Sequence, residues 1–332
     1  MKTDTGDILA LLRESNGYVS GQQLCDRFQV SRTAVWKVIN QLKEEGYRIE
    51  AVPNKGYRLV ESPDVLSYSE ITSRLNTAWA GRPLYYVEKT GSTNTDAKRY
   101  AEEGKPHGTT VVADMQESGK GRRGRDWQSP AGSAIYMTIL LRPDFEPDRA
   151  PMLTLVMALS VADAITEVTG ISTGIKWPND VVVDGKKVCG ILTEMNAEPD
   201  YIQHVVIGVG INVNNEGEKD FSEDIRQHVS SLRSSSGRII SRAELIAKVL
   251  LHFEKNYDIF VTTKDLSGLK EAYDKYLINL DVDVKVLDPK GEYTGIARGI
   301  NTEGELLVEK ADGETVNVYA GEVSIRGLYG YT

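Results

Sequence analysis

Cysteine is almost absent. Cys25 and Cys189 are the only two in 332 residues, too few and too far apart for a disulfide framework. Histidine is scarce too, at positions 107, 204, 228 and 252, and none stands at metal-ligand spacing from a cysteine. A structural zinc site is therefore not expected, and no metal ligands are assigned. No apolar run approaches the roughly 18 residues needed to cross a bilayer. The opening Met1-Lys2-Thr3-Asp4 leads into a polar segment rather than a signal-peptide core. These absences predict a cytoplasmic protein with no membrane partner. Low-complexity tracts, a G-x-x-x-x-G-K-[ST] loop and any Ser-His-Asp or Cys-His signature are missing as well. A net charge of −9 argues against nucleic-acid binding by the chain as a whole. Residues 1–60 depart from that balance at +2, leaving −11 for the remainder, so any DNA contact has to be local.

What stands out against this background is a knot of positive charge, Gly119-Lys120-Gly121-Arg122-Arg123-Gly124-Arg125, with Asp126-Trp127 after it. Glycines allow tight bends and close backbone approach to a ligand, and guanidinium forks match phosphate or carboxylate oxygens. An anion site is the functional reading, and a solvated basic loop is the alternative. Gly119, Gly121 and Gly124 also fit G-x-G-x-x-G. That fingerprint needs a strand before it and a helix directly after it. Here Thr109–Met115 reads as a strand, but Pro130 blocks an immediate helix and Ala134–Leu141 reads as a second strand. The dinucleotide reading is rejected.

The chain is too long for one ordinary domain. Three are expected: 1–62, 66–278 and 279–332. In the first, Ile8, Leu9, Leu11 and Leu12 give one apolar helix face. Ser20 with Gln23 forms a capping-box pattern for a second helix, and Ser31 is a good N-cap for a third helix to about Glu45. Val35, Val38, Ile39 and Leu42 share one face of that third helix, while Arg32, Thr33, Trp36, Lys37 and Asn40 lie off it. Two short strands around Pro53-Asn54-Lys55-Gly56 complete a pattern that resembles a winged helix-turn-helix. There Ser31, Arg32, Thr33, Trp36, Lys37 and Asn40 would meet the major groove and Lys55 the phosphates. A helical protein-docking module is the competing reading.

Glu61-Ser62-Pro63-Asp64 reads as a linker, and a short helix is expected over Ser69–Asn76. After a strand at Leu84–Val87, Thr90-Gly91-Ser92-Thr93-Asn94-Thr95 reads as a turn into a helix over Asp96–Glu103. Its hydroxyls and amide suit either helix capping or a small polar ligand. Pro151–Val168 is a strongly apolar helix. Val181-Val182-Val183, Asp184-Gly185 and Lys186–Leu192 form a hairpin pattern, and Tyr201–Asn214 follows as a strand. Asn215–Gln227 is polar and acidic and reads as a mobile loop. Amphipathic helices are expected over Arg242–Phe260 and Leu266–Leu277. The last 54 residues alternate Val282, Val284 and Val286 with charges. Turns at Pro289-Lys290-Gly291, Glu303-Gly304 and Asp312-Gly313 make this a small SH3-like barrel or sandwich.

The order of these motifs is more specific than any one of them. The winged helix, Gly91-Ser92-Thr93-Asn94, Gln116, the cationic loop, Lys176-Trp177-Pro178-Asn179-Asp180, Gly185–Leu192, Gly208–Asn212 and the terminal barrel together resemble a biotin protein ligase, over nearly the whole chain. The N-terminal module resembles the bifunctional subclass that also represses biotin genes. The resemblance implies an α+β fold with a central mixed sheet of the class II aminoacyl-tRNA synthetase-like type. It implies biotin and ATP as substrates with Mg²⁺, and biotinyl-5′-AMP as the intermediate. The implied partners are a biotin carboxyl carrier domain and operator DNA, with a homodimer forming when the adenylate binds.

By motif, Ser92, Thr93, Asn94 and Gln116 would frame the biotin head group. Lys120, Gly121 and Arg122 would fold over the carboxylate and phosphate, and Lys187 would stand at the reacting oxygens. Arg122 and Lys187 are the implied catalytic residues. Arg125, Trp127, Asn179, Asp180, Asn212 and Arg326 would lie on the nucleotide side, although Trp127 equally suits a core position. Trp177 reads as core. Lys120 departs from the commonest family form, which has arginine there, so one bidentate fork is lost. The competing functions are an effector-sensing regulator without transfer and a ligase for lipoate or octanoate. The intact Lys187 disfavours the first and the glycine-arginine loop the second, while residues 1–60 disfavour a minimal ligase without repressor function.

Overall fold

The computed structural model describes residues 5–15, 17–288, 291–319 and 324–327. The chain forms two compact units, residues 1–76 with 241–247 and residues 77–240 with 248–332.

In the first unit α1 (Thr5–Glu14), α2 (Gly21–Phe28) and α3 (Arg32–Glu44) precede the antiparallel pair β1 (Arg48–Val52) and β2 (Gly56–Glu61). The expected capping box is present: the Ser20 hydroxyl accepts from the Gln23 N–H, and the Gln23 side chain accepts from the Ser20 N–H. Leu9, Leu12, Leu24, Val35, Ile39 and Leu42 meet in one core, with Val38 packed at its margin. Helix α4 (Tyr68–Thr72) is shorter than expected. It is fastened by the buried Glu70 carboxylate, which accepts from Arg13 and Arg74 at 2.9 Å each and from the Tyr47 hydroxyl. Asp64, within the segment read as a linker, accepts from the Arg242 backbone N–H and from its Nε at 2.9 Å each.

The second unit is built on seven strands: β3 (Leu84–Thr90), β4 (Thr110–Gln116), β5 (Ala134–Leu141), β6 (Gly174–Lys176), β7 (Asp180–Val183), β8 (Lys186–Ala197) and β9 (Ile202–Asn212). Their order is β3-β4-β5-β9-β8-β7-β6, with β3–β4 parallel and every other pair antiparallel. Asp184-Gly185 makes the β7–β8 turn with φ of 49° and 71°, the left-handed pair that such a two-residue hairpin needs.

Helix α5 (Thr93–Glu102) starts three residues earlier than the sequence suggested, so Thr93 and Asn94 belong to its first turn. Helix α6 (Met152–Thr169) corrects another expectation. The segment Pro147–Thr169 is long and apolar enough to cross a membrane by length and composition, yet 72% of its most apolar window is buried in protein. Its apolar residues run around the helix from Met152 to Ile165 because protein covers most of that length. Residues 215–227, read as a loop, contain the short helices α7 (Gly217–Asp220) and α8 (Glu223–Arg226), and Asn215 is buried. Next come α9 (Leu232–Ser236), α10 (Arg242–Thr263) and α11 (Lys270–Tyr276).

The chain closes with five antiparallel strands, β10 (Val282–Leu287), β11 (Tyr293–Ile300), β12 (Leu306–Glu309), β13 (Thr315–Val318) and β14 (Ser324–Gly327). They are ordered β13-β12-β11-β10-β14. The expected turn at Pro289-Lys290 lies outside the described residues. Trp177 is a core residue: its Nε1–H donates to Gly304 O at 3.0 Å and its backbone N–H to Asn279 Oδ1 at 2.7 Å. These bonds anchor the start of the stretch that presents Asn179.

Candidate active site

Five segments of the second unit converge on one pocket of about 480 Å³, part of it open to solvent. The first turn of α5 supplies Ser92, Thr93 and Asn94, and the end of β4 supplies Gln116. The cationic loop adds Lys120, Gly121, Arg122 and Trp127. The β7–β8 region contributes Asn179, Lys187, Gly190, Ile191 and Leu192, and β9 lays Gly208, Val209 and Gly210 along the floor.

The α5 N-terminus answers the question its sequence left open. Ser92 is the N-cap by position, but its side chain makes no capping hydrogen bond. The Thr93 backbone N–H donates to Gln116 Oε1 at 2.9 Å, and the Thr93 hydroxyl lies 3.1 Å from that oxygen. Gln116 Nε2–H donates to Ser129 Oγ at 3.0 Å. Gln116 thus caps the helix start in place of Ser92, and Ser92, Thr93 and Gln116 also line the pocket.

The cationic loop carries its own frame. The Gly121 N–H donates to Arg125 O at 2.7 Å, the Trp127 N–H to Gly119 O at 2.9 Å, and Lys120 bridges Asp126 antiparallel. A 3₁₀ turn at Arg122–Gly124 takes Arg123 to a φ of 58°, which leaves Arg123 and Arg125 exposed and turns Arg122 inward. Arg122 Nη1–H donates to Asn179 Oδ1 at 3.0 Å, and Asn179 Nδ2–H donates to Ile191 O at 3.2 Å. Burial lowers the Arg122 pKa from its ordinary value, against the opposite pull of Asp180 and with help from Arg123 and Arg125. A guanidinium stays charged all the same.

Lys187 sits at a register shift in the β7–β8 pairing, where Val182 faces Lys187 and Val181 faces Cys189. Its backbone is clamped, with its N–H donating to His228 O and its carbonyl accepting from the Ser230 N–H, both at 2.9 Å. Nζ lies 2.6 Å from Asp180 Oδ1 and 5.2 Å from the centre of the Trp127 ring. The indole lies on bare backbone: a Cβ at Gly210 would sit 2.7 Å from it, and one at Gly190 2.9 Å. Its buried Nε1–H has no hydrogen-bond partner among the described residues. Gly210→Ala is therefore expected to push the indole off β9. A shift in tryptophan emission and a loss of stability of about 1–3 kcal/mol from overpacking are the readouts. An unchanged emission spectrum would contradict this packing.

Every residue expected at the biotin head group or carboxylate thus lines this pocket, together with Trp127 and Asn179. Asp180 stands behind Lys187. Arg125 is exposed and outside the lining. Asn212 is buried and donates to Ser230 O at 3.2 Å. Arg326 lies on β14, and its side chain is outside the described ones. Sequence reasoning assigned no role to Ile191, Leu192, Gly208, Val209, Gly210 or Glu194. Cys189 adjoins the floor, but burial pushes its thiol pKa far up and leaves no thiolate nucleophile.

The central region matches the Biotin/lipoate A/B protein ligase family over residues 86–212. An HTH domain matches over 6–58, and the Biotin protein ligase C terminal domain over 280–326. The chain is 40% identical over 320 residues to the bifunctional ligase/repressor BirA of Bacillus subtilis, covering 96% of this chain and 98% of that one. The chain belongs to the biotin protein ligase family. The ligase is also 31% identical to the bifunctional ligase/repressor BirA of Salmonella typhimurium, over 96% of each chain. Among solved structures it resembles the biotin protein ligase from Aquifex aeolicus in complex with biotin and ATP. That likeness has a TM-score of 0.64 and 32% identity, covering 74% of this chain and 98% of that one.

Proposed function

We propose that this ligase joins biotin to ATP as biotinyl-5′-AMP, passes the biotinyl group to a lysine of a biotin carboxyl carrier protein, and represses biotin genes while the adenylate is bound. The observation that carries this reading is the convergence of Lys187, Arg122 and Lys120 with the polar group of Thr93 and Gln116 on one glycine floor. In the first step a biotin carboxylate oxygen attacks the α-phosphorus. The new O–P bond forms as the bond to the β-phosphate oxygen breaks, and pyrophosphate leaves. In the second the neutral lysine amine of the carrier attacks the acyl carbon. A C–N bond replaces the bond to AMP, and the amine loses a proton.

Two anions have to meet in the first step, so catalysis is positioning plus charge neutralisation. Lys187 stands at the reacting oxygens, and Arg122, held by Asn179, closes over carboxylate and phosphate with Lys120. No group of three or more carboxylate, His or Cys side chains gathers to hold a cation among the described residues. Mg²⁺ would arrive on the ATP phosphates, its usual carrier.

The polar lining favours biotin over lipoate, whose dithiolane ring offers no N–H to Thr93 or Gln116. Biotin-dependent ATP–pyrophosphate exchange followed by label transfer to a carrier domain tests the reading. No exchange at saturating biotin and Mg²⁺ would end it.

The central domain would be class II aminoacyl-tRNA synthetase-like and the C-terminal sheet SH3-like. In the first unit Thr33, Trp36 and Lys37 face outward on α3, Trp36 with 58% of its surface exposed, and Lys55 is exposed on the wing. Ser31 and Arg32 are exposed beside them, with the Ser31 side chain accepting from the Ala34 N–H and Arg32 donating to Gln22. Those outward groups suit operator DNA, read by a homodimer that the adenylate promotes. Lys37→Ala should weaken operator binding and flatten the logarithmic salt dependence by about one unit per protomer. A titration at several salt concentrations with an unaltered slope would remove Lys37 from the phosphate contacts.

A further inference from the structure

One large apolar side chain of the first unit serves neither its core nor the ligase chemistry. Of the four tryptophans, Trp177 is buried, Trp79 and Trp127 are half-buried, and Trp36 keeps 58% of its surface exposed. Helix α3 gives Val35, Ile39 and Leu42 to the core and leaves Trp36 in solvent. An exposed indole gains nothing by burial, and an aromatic side chain in a helix loses χ1 freedom that lysine or glutamate would keep. Folding of the unit therefore gives no reason for tryptophan at this position. Its surroundings are polar: Arg32, Thr33 and Lys37 are exposed around it on α3, and Lys55 is exposed on the wing.

A partner for this face needs negative charge and one apolar spot. Residues 1–60 hold nine Lys and Arg against seven Asp and Glu in a chain of net charge −9, so the positive surplus is local. The DNA major groove offers both features, because phosphates flank it and the thymine C5-methyl is the only apolar group on its base edges. Trp36 is also placed for it. It is the fifth residue of α3, and the N-terminal residues of a recognition helix are the ones that meet base edges. The indole has one polar hydrogen, on Nε1, which can only donate, so the amino group of cytosine or adenine offers it no bond.

We propose that Trp36 reads the operator by packing its ring on the C5-methyl of one thymine in each half-site, which makes that base pair a specificity determinant. This rests on the reading of the first unit as an operator-binding module and adds the chemistry of one position to it. Ring against methyl removes apolar surface from water on both sides, whereas cytosine in that place would present a bare C–H and an amino group. The contact carries no charge, so it sets sequence preference and leaves the salt dependence to Lys37 and Lys55.

The test uses the full-length protein with biotin, ATP and Mg²⁺, and a duplex that it selects from a random-sequence pool. Each thymine of a half-site is replaced in turn by deoxyuridine, which pairs identically and lacks only the methyl group. For the wild type, one such replacement should weaken binding about fourfold per half-site, the effect of one buried methyl group. Trp36→Ala should bind the thymine duplex more weakly, show no deoxyuridine effect at that position, and keep the wild-type logarithmic salt slope. Trp36→Gln should behave alike and serves if Trp36→Ala does not fold. Thr33→Ser, which removes the neighbouring exposed methyl group, should keep the deoxyuridine effect. A wild type indifferent to deoxyuridine at every thymine overturns the proposal, as does an effect that survives without Trp36 or disappears in Thr33→Ser. A Trp36→Ala protein that binds the duplex as tightly as the wild type also overturns it and makes Trp36 a protein-docking residue instead. Failure of the wild type to select any sequence would overturn the operator reading on which the proposal rests.

Discussion

Lys187→Met is expected to slow biotin-dependent pyrophosphate exchange by about 10²–10³-fold at saturating substrates, with the fold retained. The side chain is only 18% exposed, and its ammonium lies 2.6 Å from Asp180 over the face of Trp127. Charge placed beside reacting oxygens in so enclosed a site acts at reduced dielectric, and losing one such contact costs about 2.7–4 kcal/mol in the transition state. Methionine removes the charge and leaves the Asp180 carboxylate less neutralised where anionic substrates have to assemble, so repulsion adds to the loss. Asp180→Asn in the same background should recover part of the rate by removing that repulsion. Exchange kinetics with circular dichroism as the folding control check the prediction. A Lys187→Met protein with the wild-type rate would remove Lys187 from the chemistry.

Arg122→Gly should release biotinyl-AMP roughly 10–100-fold faster, because a hydrogen bond to a charged group contributes about 1.5–3 kcal/mol. Arg122 is the cation the loop turns inward, and its bond to Asn179 bridges the loop to the segment ahead of β7. Glycine deletes both the charge and the bridge. The adenylate should still form, since Lys187 is untouched, but it should be held less well. Adenylate dissociation measured after a single turnover separates the two steps. A release rate equal to that of the wild type would refute the clamp.

Much of the fold was legible because its signals are local. The Ser20/Gln23 capping box, the Ser31 N-cap, the Asp184-Gly185 turn and the Ala134–Leu141 strand each depend on residues a few positions apart. The departures share one cause, which is partners distant in sequence. Helix α5 begins at Thr93 although its opening residues read as turn formers, because Gln116 takes the Thr93 N–H and the Thr138 hydroxyl donates to that of Thr93. Helix α6 reads as strongly apolar, and the segment Pro147–Thr169 is long and apolar enough to cross a membrane. Only the protein packed around it decides between water, lipid and core.

The sequence by itself determined the chemistry on offer: a cationic glycine loop, a later lysine, a cluster of hydroxyls and amides, and the order that identifies the family. Those properties belong to residue types and short spacings. Tertiary structure decided what each group faces. It laid Trp127 on the bare backbone of Gly190 and Gly210, turned Arg122 inward and Arg125 outward, and brought Glu194 to Asn94 across 100 residues of chain. The reason is that a hydrogen bond's direction depends on which acceptor the fold places opposite each donor, and strand register, not local sequence, sets that placement.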